Sequence, residues 1–227
     1  MCENMGKFIV LEGLDGSGKG TQTELLRRTL EEEGRRVRVI EFPDYASEGS
    51  ALVRMYLGGR LGADPADTNA YAASMFFAAD RYVSYVTSWR EDWRDPDTVV
   101  LANRYTTANA YHQLAKMPRE AWDGFLTWLW DFEFEKLGLP RPDAVLLLDM
   151  PERVSSALVK HRSAQTGRKL DIHETHEEYL LACRRAASYA ARACGWRVIP
   201  CAPEDGDEPY SREEIAARVR EAVADIL

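Results

Sequence analysis

Phe8-Ile9-Val10-Leu11-Glu12-Gly13-Leu14-Asp15-Gly16-Ser17-Gly18-Lys19-Gly20-Thr21-Gln22 decides how the rest of the chain is read. Residues 8–11 are continuously apolar and read as a buried strand. Residues 21–30 read as a helix. Between them, glycines allow the backbone to curl with its N–H groups pointing inward at an anion. The helix N-terminus adds a field that favours negative charge. Lys19 supplies a point charge for β- and γ-phosphates. Strand, glycine-rich turn, Lys and helix, in that order, make a phosphate-binding loop for ATP. Its residues are Gly13, Leu14, Asp15, Gly16, Ser17, Gly18, Lys19, Gly20 and Thr21. Position 20 is Gly, so the hydroxyl that usually meets Mg²⁺ there is missing, and Thr21 stands one residue late.

Working outward, residues 37–42, 98–103, 144–149 and 196–201 read as four further strands. The run 144–149 is apolar on both faces, as a central parallel strand should be. Helices are expected near 50–57, 68–89, 119–137, after Pro151, and over 174–193. Gly34 stops the first helix, and Ser211-x-x-Glu214 is a capping box for the last. The long helix should present Tyr71, Met75, Phe76, Ala79, Tyr82, Val83 and Val86 as an apolar face. Five strands alternating with helices predict an α/β fold, a five-stranded parallel sheet with helices on both faces. Ligands then lie at the carboxyl ends of the strands. The 227 residues read as a single domain, 1–227, with a mobile lid at about 162–172.

A formal charge of −8 and an isoelectric point near 5.2 argue against a general nucleic-acid or anionic-membrane binder. No apolar stretch has membrane-spanning length, and residues 1–5 lack the pattern of a signal peptide. Cys2, Cys183, Cys194 and Cys201 form no Cys-x-x-Cys pair and read as reduced structural thiols, so a cytoplasmic location is expected.

Several residues outside the loop could carry chemistry. Asp80-Arg81 sits inside the long helix and is either an exposed pair or a group that needs a partner or ligand. Arg104 follows the third strand at the loop's side of the sheet, where it can meet a phosphate or form a surface ion pair. Phe42-Pro43 ends the second strand at the same rim. Asp149 ends the fourth strand and can orient waters on Mg²⁺ or cap the next helix. Arg162, Arg168 and Lys169 lie in a polar, Gly-containing segment that is either a solvated loop or a closing lid.

Taken in order, Leu11-Glu12-Gly13-Leu14-Asp15-Gly16-Ser17-Gly18-Lys19, Phe42-Pro43, Phe77-Ala78-Ala79-Asp80-Arg81, Asn103-Arg104-Tyr105 and Leu148-Asp149-Met150-Pro151 resemble the thymidylate kinase family. The likeness runs nearly the whole chain. It implies Mg²⁺-dependent transfer of a phosphoryl group from ATP to a deoxynucleoside monophosphate, dTMP first, by a cytoplasmic homodimer. By the same likeness Asp15 contacts the acceptor's 3′-hydroxyl, Phe77 stacks on thymine and Arg81 binds its carbonyl edge. Phe42 and Asn109 belong to the acceptor site, and Arg104 binds the acceptor phosphate. Lys19, Arg104, Arg162 and Arg168 are the implied catalytic cations, with Thr21 and Asp149 towards the metal. Three positions depart from the family pattern. Asn103 stands where Asp is usual, Tyr45 where an Arg follows Phe-Pro, and Gly20 where a hydroxyl is usual. Arg54 is a candidate for the charge lost at 45.

Other classes fit less well. A deoxynucleoside kinase needs a carboxylate near the second strand to activate a hydroxyl, and Glu41 reads as lying inside that strand. A guanine-nucleotide switch needs Asp-x-x-Gly beyond the loop and Asn-Lys-x-Asp. The closest approach to the latter is Arg168-Lys169-Leu170-Asp171. The Gly18-Lys19-Gly20-Thr21-Gln22 ending resembles adenylate kinases, but no Thr-Gly-Asp segment follows.

Overall fold

The computed structural model describes residues 5–151, 153–159, 177–203 and 205–227. Its sheet consists of β1 (Lys7–Glu12), β2 (Arg36–Glu41), β3 (Thr98–Asn103), β4 (Ala144–Asp149) and β5 (Arg197–Pro200). The order is β2-β3-β1-β4-β5, and every neighbouring pair is parallel. The predicted α/β parallel sheet is therefore the observed one. From β1 the chain fills one side of the sheet with β2 and β3, then crosses to β4 and β5. The carboxyl ends of β1 and β3 flank that switch point, where open α/β sheets place their ligands.

Alternate side chains of the central strands enter two cores, because successive residues of a strand face opposite ways. On one side Ile9, Leu11, Val99, Leu101, Leu146 and Leu148 pack with Leu26 and Leu30 of α1 (Lys19–Glu32). Ile215 and Val219 of α9 (Arg212–Glu221) close that core. On the other side Phe8, Val10, Val100, Ala102 and Val145 meet Tyr85, Trp89 and Tyr105. The remaining helices are α2 (Ala51–Leu57), α3 (Ala70–Ser84), α4 (Arg90–Arg94), α5 (Thr106–Leu114), α6 (Trp122–Trp130), α7 (residues 153–159) and α8 (Glu177–Cys194). The Ser211 capping box forms as expected, with Ser211 Oγ accepting from the Glu214 N–H and the Glu214 carboxylate accepting from Ser211 N.

Two helices differ from their sequence reading. The helix expected at 68–89 widens to a π-helical turn at Tyr85–Trp89 before α4. Its expected apolar face is not the one buried: Tyr71, Met75, Tyr82 and Val86 are exposed. The inner face is Ala70, Ala73, Ser74, Ala78, Asp80, Arg81 and Ser84. Of that face Ala70 and Ala73 join apolar clusters and Arg81 reaches the cavity, so small residues let α3 pack closely while one charged residue turns to the site. The helix expected at 119–137 likewise passes from α6 into a π-helical turn at Asp131–Lys136, and Glu133 is carried fully inside.

Candidate active site

After β1 the backbone turns through Gly13, Gly16 and Gly18, all at positive φ, and α1 starts at Lys19. At two of these positions only glycine fits. A Cβ on Gly13 would stand 2.6 Å from Ser17 Oγ and 2.8 Å from the Leu148 carbonyl oxygen. A Cβ on Gly16 would strike the Ser155 carbonyl oxygen of α7. The loop is thus wedged between β4 and α7. Lys19 Nζ lies over it, donating to the Gly13 and Leu14 carbonyl oxygens at 2.9 Å each and standing 3.9 Å from Asp15 Oδ1.

A cavity of about 660 Å³ opens beyond the loop. Asp15, Gly16, Gly18, Lys19, Gly20 and Thr21 line one end, and Phe42, Phe77, Arg81, Arg104 and Asn109 the rest. Gly13, Leu14 and Ser17 stand behind this wall as part of the loop. Glu41, Pro43, Tyr45, Asn103 and His112 also line the cavity.

Arg104 is the described non-glycine residue with positive φ, at 69°. Such a conformation is strained and needs holding in place. Its backbone N–H donates to Leu11 O at 3.0 Å. Nη2 donates to Asp15 Oδ1 at 2.6 Å and Nη1 to the Tyr111 hydroxyl at 2.8 Å. Burial pushes the Asp15 carboxyl up, but the charges of Arg104, Lys19 and His112 outweigh it and hold Asp15 well below the usual carboxylate range. Glu12, fully buried, accepts from Tyr105 N at 3.0 Å, Thr107 Oγ1 at 2.6 Å and the Tyr111 hydroxyl at 2.8 Å. Helix α5 has no side-chain cap from its own N-cap residue, so Glu12 serves its first turn from β1. One carboxylate at the end of β1 therefore ties down both α5 and the tyrosine that steers Arg104.

Across the cavity, Arg81 and Glu133 form a buried two-pronged pair. Arg81 Nε donates to Glu133 Oε2 at 2.7 Å and Nη2 to Oε1 at 2.5 Å. Thr106 Oγ1 and Asn109 Nδ2 also donate to Glu133, at 2.8 and 3.2 Å. Asn109 Nδ2 additionally lies 3.4 Å from Ser74 O. Because Nδ2 faces two acceptors, the Asn109 amide oxygen faces the other way. Arg81 keeps Nη1 uncommitted among the described residues. Phe77, half-buried, meets Tyr56 edge-on with centroids 6.0 Å apart.

Asp149 is not at this cavity: its oxygens lie 3.2 and 3.5 Å from Arg184 nitrogens. Arg54 does not reach it either, since Nη1 donates to the Tyr45 and Ser47 carbonyl oxygens. Arg162, Arg168, Lys169 and the proposed lid lie outside the described residues. Glu41 belongs to the second strand as read, but as its last residue it turns an exposed side chain into the cavity.

Near Gly20 the Asn103 amide oxygen is enclosed without a hydrogen-bond partner, and the groups that reach the cavity are the Glu41 carboxylate and the Thr21 hydroxyl. These are hard oxygen donors, the type that suits Mg²⁺. Among the described residues no three His, Cys, Asp or Glu side chains gather to hold a metal, so the set fits an ion kept largely by water and phosphate oxygens.

The thymidylate kinase family model matches residues 11–196. The chain is 34% identical over 192 residues to the thymidylate kinase of Mycobacterium tuberculosis, covering 83% of this chain and 87% of that one. It is 32% identical over 164 residues to a probable thymidylate kinase of Thermococcus gammatolerans, covering 71% and 74%. The chain belongs to the thymidylate kinase family. Its activity is that of a nucleoside monophosphate kinase. The fold agrees with that of a Candida albicans thymidylate kinase at a TM-score of 0.68 and 18% identity, over 98% of this chain and 92% of that one.

Within a thymidylate kinase framework, the residues that the sequence reading missed are the ones acting behind the surface. Glu12, Tyr111 and Glu133 touch the cavity's working residues rather than filling it. Glu133 carried a faint signal, an acid set between Phe132 and Phe134 on the apolar side of an aromatic helix. Glu12 carried one too, as a carboxylate ending an otherwise apolar strand.

Proposed function

We propose that this member of the thymidylate kinase family transfers the γ-phosphoryl group of ATP to the phosphate of dTMP, giving dTDP and ADP. The supporting observation is one continuous cavity joining the phosphate-binding loop to Phe77, Arg81 and Asn109. An oxygen of the acceptor phosphate forms the new bond to the γ-phosphorus while the β–γ bridging bond breaks, and its electron pair leaves on ADP. That oxygen is already anionic, so the protein's task is positioning and charge stabilisation. Lys19 neutralises the transferring group and Arg104 holds the acceptor phosphate. Arg162 and Arg168 add positive charge from the lid. Glu41, braced by Asn103, and Thr21 would hold the hydration shell of Mg²⁺, which would neutralise phosphate charge.

Base choice follows from donors and acceptors. Arg81 Nη1 can only donate and the Asn109 amide oxygen can only accept. Thymine offers a carbonyl at position 4 and an N–H at position 3, which match both. Cytosine offers the reverse, leaving two buried groups unpaired at about 1–3 kcal/mol each. Phe77 supplies a flat, base-tolerant platform. Asp15 receives the acceptor's 3′-hydroxyl. A homodimer in the cytoplasm completes the reading, with the exposed Tyr71, Met75, Tyr82 and Val86 stripe of α3 as the contact.

The test is kcat/KM for dTMP, dUMP, dCMP, dGMP and thymidine on wild type and Arg81→Ala. Wild type should take dTMP and dUMP well ahead of dCMP, and Arg81→Ala should narrow that gap. Preference for dCMP or dGMP, or phosphorylation of thymidine without dTMP, would refute the reading.

A further inference from the structure

We propose that Glu41, braced by Asn103, is the carboxylate that orients the water shell of the nucleotide-bound magnesium ion. This rests on the reading of the cavity as an ATP site. Glu41 and Asn103 are register partners at the carboxyl ends of β2 and β3. Asn103 Nδ2 donates to Glu41 Oε1 at 2.8 Å. Turning the amide over would set its oxygen against the carboxylate, so the brace has one orientation.

The pair stands directly over the loop. A Cβ on Gly20 would lie 3.7 Å from Asn103 Nδ2, in ordinary contact with no clash. Position 20 is where a loop hydroxyl usually meets the ion, and here that space is open to water. Among the described residues two carboxylates line the cavity, Asp15 and Glu41. Asp15 is committed to Arg104 at 2.6 Å and lies 3.9 Å from Lys19 Nζ. Glu41 is exposed and is braced by a neutral amide, and among the described residues no cation forms an ion pair with it. Asp149, the other acid considered for this task, faces Arg184. Magnesium dehydrates reluctantly and is commonly held through waters by one or two carboxylates with substrate phosphates. A carboxylate on β2 can therefore do from the neighbouring strand what an acid at position 103 would do from β3.

The charge can be moved back by substitution, which makes the assignment testable. Mn²⁺ binding to the full-length protein with ADP is measured by electron paramagnetic resonance for wild type, Glu41→Gln, and Glu41→Gln combined with Asn103→Asp. Metal-free ADP binding and thermal melting are measured alongside. Glu41→Gln should weaken Mn²⁺ by on the order of 10-fold, as loss of a water-orienting partner does, with melting and metal-free ADP affinity unchanged. The double variant should recover most of the loss. Unchanged Mn²⁺ affinity in Glu41→Gln overturns the proposal, as does a loss that Asn103→Asp fails to repair in a folded double variant. If the metal pattern holds but dTMP is not phosphorylated, the acceptor reading fails and this assignment stands.

Discussion

A carboxylate shut off from water persists as a charge only when it is paired and hydrogen-bonded. Glu133 meets that condition through the fork of Arg81 and donors from Thr106 and Asn109. The same contacts orient the two side chains that would read the base edge. Glu133→Gln therefore has two expected consequences. Removing one charge of a buried pair should cost roughly 3–5 kcal/mol of stability, measured by urea unfolding. In the fraction that folds, Arg81 and Asn109 are misaimed, so KM for dTMP should rise more than kcat falls. An unchanged KM with the full stability loss would confine Glu133 to a structural role.

At the scale of elements, the phosphate-binding loop is held by its neighbours as much as by its own glycines. Gly16 sits at φ 82 and its missing Cβ is filled by the backbone of Ser155 in α7. A side chain there must move α7 or open the loop. Gly16→Ala should lower stability by about 1–3 kcal/mol through positive-φ strain alone. It should also lower affinity for ATP, read by calorimetric titration. A variant that binds ATP as wild type does would show that the loop has slack.

At the scale of the whole molecule, α3 is an amphipathic helix turned the unexpected way. Phe77 and Arg81 face the cavity, and Tyr71, Met75 and Tyr82, continued by Val86 in the π-helical turn, form one stripe outward. Four large apolar side chains on a single exposed stripe are the pattern of a surface that pairs. Tyr71→Asp with Met75→Glu should convert a dimer to a monomer in light scattering, with the melting temperature becoming independent of protein concentration. A wild type that is monomeric at micromolar concentration would remove α3 as the contact.

The sheet was legible in the sequence to a degree that α/β proteins allow. Strands β3 and β4 match their expected bounds residue for residue, because central parallel strands are continuous apolar runs ended by turn residues. The loop with Asp15 and Lys19, and Phe42 and Arg104 at strand ends, were legible from order and spacing, whereas Phe77 and Arg81 on α3 and Asn109 on α5 came only from the family resemblance; all of them line the cavity. What only the tertiary structure decided is which polar groups meet across the sequence. Glu12 with Tyr111, Arg81 with Glu133 and Glu41 with Asn103 are 99, 52 and 62 residues apart. Hydrophobic periodicity marks a face as buried or exposed, but it carries no record of the partner a charge will find. That partner is set by sheet order and helix packing, and so is the orientation of α3, whose exposed apolar stripe has the same helical period as a core-facing one.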